Sequence, residues 1–300
     1  MTMRVQMTRR QLIVLVLLTL VWGFNWPIMK VGVSGLPSAP MQYPPLTFRA
    51  LSMVLGLPVL WLALRWARVP LAIPRVHWGE VARLTPPNML VWQVVIIFGV
   101  QALSSGRSAI LGYTLPVFAA LVGAFVYGER LAPRQWLGVA AAGVGVALLL
   151  AGEFTSLAGS PRAAAAVVGA AAYWALGTHM LRRSTAPVPI LAVVFWMTVI
   201  CAVVMTLLAI AFEGHRWRLP EPHVAAAVAF NAAVIFGFSQ AAWLFLAKTL
   251  PPVASSISVM MIPVLGVFSG AFFLGEVLHW QDWAAVVLMV GAIGLVLRGR

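Results

Sequence analysis

Charge is what this sequence has least of. Only 9% of its 300 residues are Asp, Glu, Lys or Arg, against about 25% in a soluble domain. With 62% hydrophobic residues, too little polar surface remains to cover a water-soluble globule, and the chain reads as an all-α polytopic membrane protein. A single cysteine, Cys201, lies in an apolar run. That excludes an intrachain disulfide framework or a cysteine metal cluster. Lysine occurs only at Lys30 and Lys248, so no phosphate-cradling loop ending in Gly-Lys-Ser/Thr exists. ATP is then not a direct fuel unless another subunit brings it, and neither a cofactor nor a metal is implied. Acids are equally scarce: Glu80, Glu129, Glu153, Glu213, Glu221, Glu276 and Asp282, all at span ends or in connectors.

The basic side dominates, at a formal net charge of +13. In a soluble chain that excess would suggest nucleic acid. Here the arginines sit between apolar runs and form no basic–aromatic patch. They read as topology signals and anchors for anionic head groups, and nucleic acid is not an expected partner.

A helix crossing the hydrocarbon core needs about 20 apolar residues. Ten such runs are present, at about 11–31, 44–64, 78–99, 106–127, 134–151, 163–181, 188–212, 223–246, 253–274 and 281–298. The runs are continuously apolar and too long for barrel strands. The first has a basic flank like a signal peptide but is longer than such a segment and lacks a small-residue cleavage site, so it is expected to be retained. Ten spans place both termini on one face. If that face is cytoplasmic, Arg4, Arg9, Arg10, Arg65, Arg68, Arg75, Arg83, Arg130, Arg134, Arg182, Arg183, Lys248, Arg298 and Arg300 lie inside. Lys30, Arg107, Arg162, Arg216 and Arg218 lie outside. The excess of positive residues inside favours cytoplasmic termini, in a bacterial-type inner membrane.

One phrase occurs twice. LPVFAALVGAFVYGE (115–129) and IPVLGVFSGAFFLGE (262–276) stand 147 residues apart, and the same offset pairs Trp136 with Trp283, Phe48 with Phe195 and Gln93 with Gln240. We read an internal duplication, residues 1–157 and 158–300. Each unit holds an odd number of spans, so the second inserts upside down relative to the first. Arg130 and Arg134 after the first phrase are matched by Val277 and Gln281 after the second, as expected if only one of the two loops faces the cytoplasm. Inverted repeats mark secondary transporters, in which two related halves expose a midplane site to each side in turn.

The W-G-x-N first span (Trp22 to Asn25), the five-plus-five duplication, and the Gly-Glu ends of the fourth and ninth spans before a Trp resemble the drug/metabolite transporter superfamily, EamA-type branch. GERLAPRQWLGVAAAGVGVALLL (128–150) carries the resemblance most clearly. It covers essentially the whole chain. It implies export of amino acids or similar small metabolites, exporters of the YddG kind with aromatic and other neutral substrates among them, and does not fix the substrate. The chain departs from other branches in having Arg49 in the second span and no obvious coupling carboxylate. An intramembrane enzyme is the competing class, but no H-E-x-x-H, G-x-S-x-G or His/Asp cluster supports it. A receptor or scaffold would have no extramembrane domain to report through.

The residues that carry chemistry are therefore few. Trp22, Asn25, Trp26 and Met29 share one helical face, and a buried Asn in hydrocarbon demands a partner, so this face is expected to line a cavity. Arg49 either snorkels to the outer interface or clamps a substrate carboxylate. Gln93 and Gln240 are symmetric polar sites. Gln240 shares a face with Trp243, and Tyr113 lies one turn before Pro116. Pro116 and Pro263 are expected to kink their helices and act as hinges. Glu129 and Glu276, being duplicated, are expected to pin helix ends. His179 is the one candidate inside a span for a proton relay, and with no mid-membrane acid the transport is expected to be weakly coupled or uncoupled. Ser255, Ser256 and Ser258 read as caps. The glycine-rich fifth and tenth spans permit close packing within the chain or across a dimer, so a monomer or homodimer is expected, with a small-molecule substrate and the lipid bilayer as partners.

Overall fold

The computed structural model describes residues 8–40, 42–155, 160–184, 186–239, 242, 246 and 252–297, with the backbone alone at 39, 155, 252–259 and 297. The helices are α1 (Arg9–Ser34), α2 (Pro45–Trp66), α3 (Trp78–Thr85), α4 (Val91–Ala102), α5 (Ser105–Gly112), α6 (Leu115–Tyr127), α7 (Pro133–Thr155), α8 (Pro161–Arg182), α9 (Ile190–Glu213), α10 (Pro222–Phe230), α11 (Pro252–Leu274) and α12 (Trp280–Leu297). A two-residue β-hairpin, Gly35–Leu36 against Ala39–Pro40, links α1 to α2. Seven helical stretches have the length and apolarity to cross a membrane, and the shorter apolar stretches Pro222–Phe238, Met260–Leu274 and Trp280–Val296 supply the rest. The chain is a ten-helix polytopic membrane fold of two inverted five-helix repeats.

Local sequence explains the boundaries. Pro45, Pro133, Pro161, Pro222 and Pro252 each open a helix, where the missing N–H has no intrahelical partner to lose. Thr8 and Gln11 close a capping box on α1. Gly128 and Gly275 end α6 and α11 with φ of +70° and +65°, a conformation that side chains with a Cβ rarely adopt.

Two features depart from simple spans. The third and eighth spans each contain a π-helical segment, Pro86–Leu90 and Asn231–Phe238. Subtracting the repeat offset places the second over the first, so the duplication carries its π turns with it. Such turns cluster at functional sites. The two repeat prolines also differ. The fourth span breaks at Tyr113–Thr114 and restarts as α6 with Pro116 in its first turn, whereas the helix runs through Pro263.

The glycine-rich fifth and tenth spans pack on each other within the chain. A Cβ at Gly138 would stand 2.9 Å from the Ala292 carbonyl, and Gln135 donates to the Val296 carbonyl at 3.1 Å. Elsewhere α1 lies against α11, with Gly23 beneath Leu265, and α2 crosses the second π segment, with Gly56 against Ala232 and Phe236. Small residues let these backbones approach where no hydrophobic force drives helices together in lipid.

Candidate functional site

Arg49 is placed one turn into α2 and is 2% exposed, which removes it from any interface to which it could snorkel. Its Nη2 lies 2.8 Å from Met29 Sδ and its Nη1 3.4 Å from Asn231 Oδ1. The guanidinium stands 5.9 Å from the Phe236 ring centroid. Its Nε is buried with no acceptor, and no described carboxylate pairs with it. Every contact with the described residues is neutral. Burying a cation this way costs several kcal/mol unless something anionic offsets it. Asn231, at the start of the π segment, is itself fully buried and anchored by its amide to the Ala227 carbonyl.

Trp26 and Met29 are buried on the inner face of α1. Trp26 packs edge-on to Tyr113 at 6.3 Å. Beside them Trp92 meets Trp174 at 4.9 Å, and a Cβ on Gly112 would lie 2.9 Å from the Trp92 ring and 3.0 Å from that of Trp26. Four aromatic rings thus gather where the fourth span breaks. Asn25 Oδ1 is buried without a partner. Trp22 packs instead with Leu15, Leu18, Ala242 and Leu246, toward the end carrying the termini. Gln93 is buried, its amide 3.7 Å from Met89 Sδ. Gln240 and Trp243 lie outside the described residues, as do the side chains of Ser255, Ser256 and Ser258.

The end away from the termini is knitted by carboxylates. Glu213 accepts from the amides of Leu46 and Thr47 and from the Thr47 hydroxyl, closing the start of α2. Glu276 accepts from the Ser105 amide at 2.6 Å, the Ser105 hydroxyl at 2.9 Å and the Gly106 amide at 3.2 Å, closing the start of α5. Arg107 on the same helix pairs with both Glu153 and Asp282. Lys30 donates to the carbonyls of Gln101 and Leu103, fixing the end of α4. A recess of about 420 Å³ remains here, lined by Tyr43, Thr47, Leu51, Trp217, Arg218 and Pro220.

The end carrying the termini holds a smaller cavity, about 270 Å³, bounded by Glu129, His179, Arg182 and Arg183. Arg183 pairs with Glu129 at 3.4 Å and lies 3.8 Å over Tyr127. Tyr127 in turn stacks on His179. His179 is 4% exposed and hydrogen-bonds the Ala119 carbonyl at 2.8 Å, so its ring is held inside the chain.

The sequence reading named Arg49, Trp26 and Tyr113 but missed Asn231, Trp92, Trp174 and the π turns. Asn231 carries the same signal as Asn25, an amide alone in an apolar run. Trp92 and Trp174 carried no signal beyond tryptophan inside a span.

The EamA-like transporter family pattern matches the chain twice, over residues 9–151 and 161–298. Relatives include the uncharacterized transporter YoaV of Bacillus subtilis, 24% identical over 86% of each chain. The uncharacterized inner membrane transporter YedA of Escherichia coli is 26% identical over 94% of this chain and 89% of its own. A protein named "Probable amino-acid metabolite efflux pump" of Escherichia coli is 24% identical over 95% and 94%. One solved crystal structure shares the fold with a TM-score of 0.65 at 20% identity, covering 97% of this chain and 98% of its own.

Proposed function

This chain belongs to the EamA-like transporter family of the drug/metabolite transporter superfamily, and we propose that it exports amino acids or similar small metabolites as a secondary transporter. The two inverted halves, 1–157 and 158–300, expose a central site alternately to each face, with the termini in the cytoplasm of a bacterial-type inner membrane. The family membership and the efflux-pump relative support transport over an intramembrane enzyme or a receptor.

The observation that carries the substrate class is Arg49, a buried guanidinium whose described partners are all neutral. A substrate carboxylate supplies the missing anion, and a bidentate carboxylate contact is the geometry a guanidinium fits best. Asn231 and Asn25 offer an amide and a free acceptor for polar parts of the cargo. Trp26, Tyr113, Trp92 and Trp174 offer ring faces for an apolar side chain. The combination suits neutral amino acids, aromatic ones included.

Purified protein in liposomes loaded with labelled neutral amino acids is the test. Release is expected to exceed that from protein-free liposomes. Amino-acid amides, which lack the carboxylate, are expected to leave about tenfold more slowly, the effect of losing roughly 1.5 kcal/mol of charge-assisted bonding. Release matching protein-free liposomes for every amino acid overturns export. Equal release of acids and amides overturns the part given to Arg49.

A further inference from the structure

Glu129 and Glu276 are the same residue in the two repeats, and their backbone settings match. Each follows a glycine in the left-handed region. Each amide reaches back six residues, to Gly123 at 2.9 Å and to Gly270 at 3.4 Å. A Cβ on Gly123 or Gly270 would stand 2.7 Å or 2.4 Å from the Oε2 of the paired glutamate. In both copies, then, the missing side chain makes room for a carboxylate folded back over the helix end.

What the two carboxylates bind differs. Glu276 takes three donors from the start of α5, where exposed N–H groups and the helix dipole favour an anion. Arg107, tied to Glu153 and Asp282, draws the same helix start into the packed end. The Glu129 side chain is 45% exposed, and among the described residues its carboxylate hydrogen-bonds only Arg183. Adding the repeat offset to Ser105 and Gly106 gives Pro252 and Val253, the start of α11; Pro252 has neither the N–H nor the hydroxyl of Ser105, so of the three donors only the Gly106 amide has a counterpart, the Val253 N–H. The helix start that symmetry assigns to Glu129 is therefore one that it does not hold here.

We propose that Glu276 and Glu129 are the two gate residues of the transport cycle, each closing one face by capping the start of the opposite repeat's broken or kinked span. Glu276 on α5 closes the face away from the termini in the state described. Glu129 on α11 closes the terminal face in the other state, after leaving Arg183. This rests on the alternating-access reading above. It adds a direction: equivalent substitutions at the two sites push the equilibrium opposite ways, because each removes stabilisation from a different state.

Ser108 supplies the reporter. It is fully buried one turn inside the α5 cap, and its hydroxyl has no partner. In a Cys201→Ala background, the thiol introduced by Ser108→Cys is titrated in whole cells with a membrane-impermeant maleimide. Glu276→Gln is expected to raise its modification rate about tenfold, the population shift that ~1.4 kcal/mol produces. Glu129→Gln is expected to lower it. Glu276→Asp, which keeps the charge, is expected to stay nearer the parent rate. If both Gln variants shift the rate in the same direction, or neither shifts it, the gate assignment is overturned. The assay reads exposure of the thiol and not movement of cargo, so its failure is distinguishable from failure of the amino-acid export reading.

Discussion

The Arg49 guanidinium lies 3.4 Å from the Asn231 side-chain oxygen, and that neutral amide is the nearest thing to a counter-ion it has among the described residues. A residue kept for stability would be arranged otherwise, since an unpaired buried charge destabilises the fold. Arg49→Met is therefore expected to leave the unfolding temperature in detergent unchanged or raised, while amino-acid efflux falls at least about tenfold. A lowered unfolding temperature with efflux intact would make Arg49 a packing residue.

Glu213 presents the reverse case. Its carboxylate is 4% exposed and satisfies two amides and the hydroxyl of Thr47, while the Trp217 indole donates to that hydroxyl from outside. Glu213→Gln is expected to destabilise the protein by about 1.5–3 kcal/mol, the worth of a hydrogen bond to a charged group in a buried setting. Glu221→Gln, on a carboxylate 38% exposed, is expected to cost under about 0.5 kcal/mol. Denaturant titration of both variants side by side checks the contrast.

The first π segment rests on Gly177. An added Cβ there would come within 2.6 Å of the Pro87 carbonyl carbon and 2.9 Å of the Asn88 nitrogen, both backbone atoms that cannot swing aside. Gly169 on the same helix faces open space. Gly177→Ala is expected to cost about 1–3 kcal/mol and Gly169→Ala to be neutral or stabilising, since alanine favours helix. Thermal unfolding followed by tryptophan fluorescence separates them. Equal behaviour would mean that α8 does not bear on the π turn.

How much of this was legible in advance follows from the range of the forces involved. The span limits were, because hydropathy and opening prolines act locally: the run expected at 44–64 is α2 at Pro45–Trp66, and that at 163–181 is α8 at Pro161–Arg182. The repeated Gly-Glu phrases were legible as helix ends, whereas the left-handed conformation of Gly128 and Gly275 that closes them comes from the structure. Pairings across the chain were not. Arg107 finds Glu153 and Asp282, 46 and 175 positions away, and Arg49 finds Asn231 182 positions away. No periodicity encodes such distances. The π turns were hidden for another reason: one extra residue in a continuously apolar run leaves its hydropathy unchanged.

His179 bears on proton coupling, since a relay needs a ring free to exchange protons along a path. The carbonyl of Ala119 can only accept, so the His179 Nε2 carries the hydrogen of their 2.8 Å bond. The other face of the ring is covered by Tyr127. Arg182, Arg183 and Glu129 border the same cavity, and Glu129 is engaged by Arg183. The Ala119 bond ties α8 to α6, and we propose that His179 serves as that tie rather than as a relay. His179→Asn is expected to keep efflux within about twofold of the parent, and an imposed pH gradient to change the parent rate little. A steep gradient dependence that the His179→Asn substitution abolishes would restore His179 as the relay and make the transporter proton-coupled.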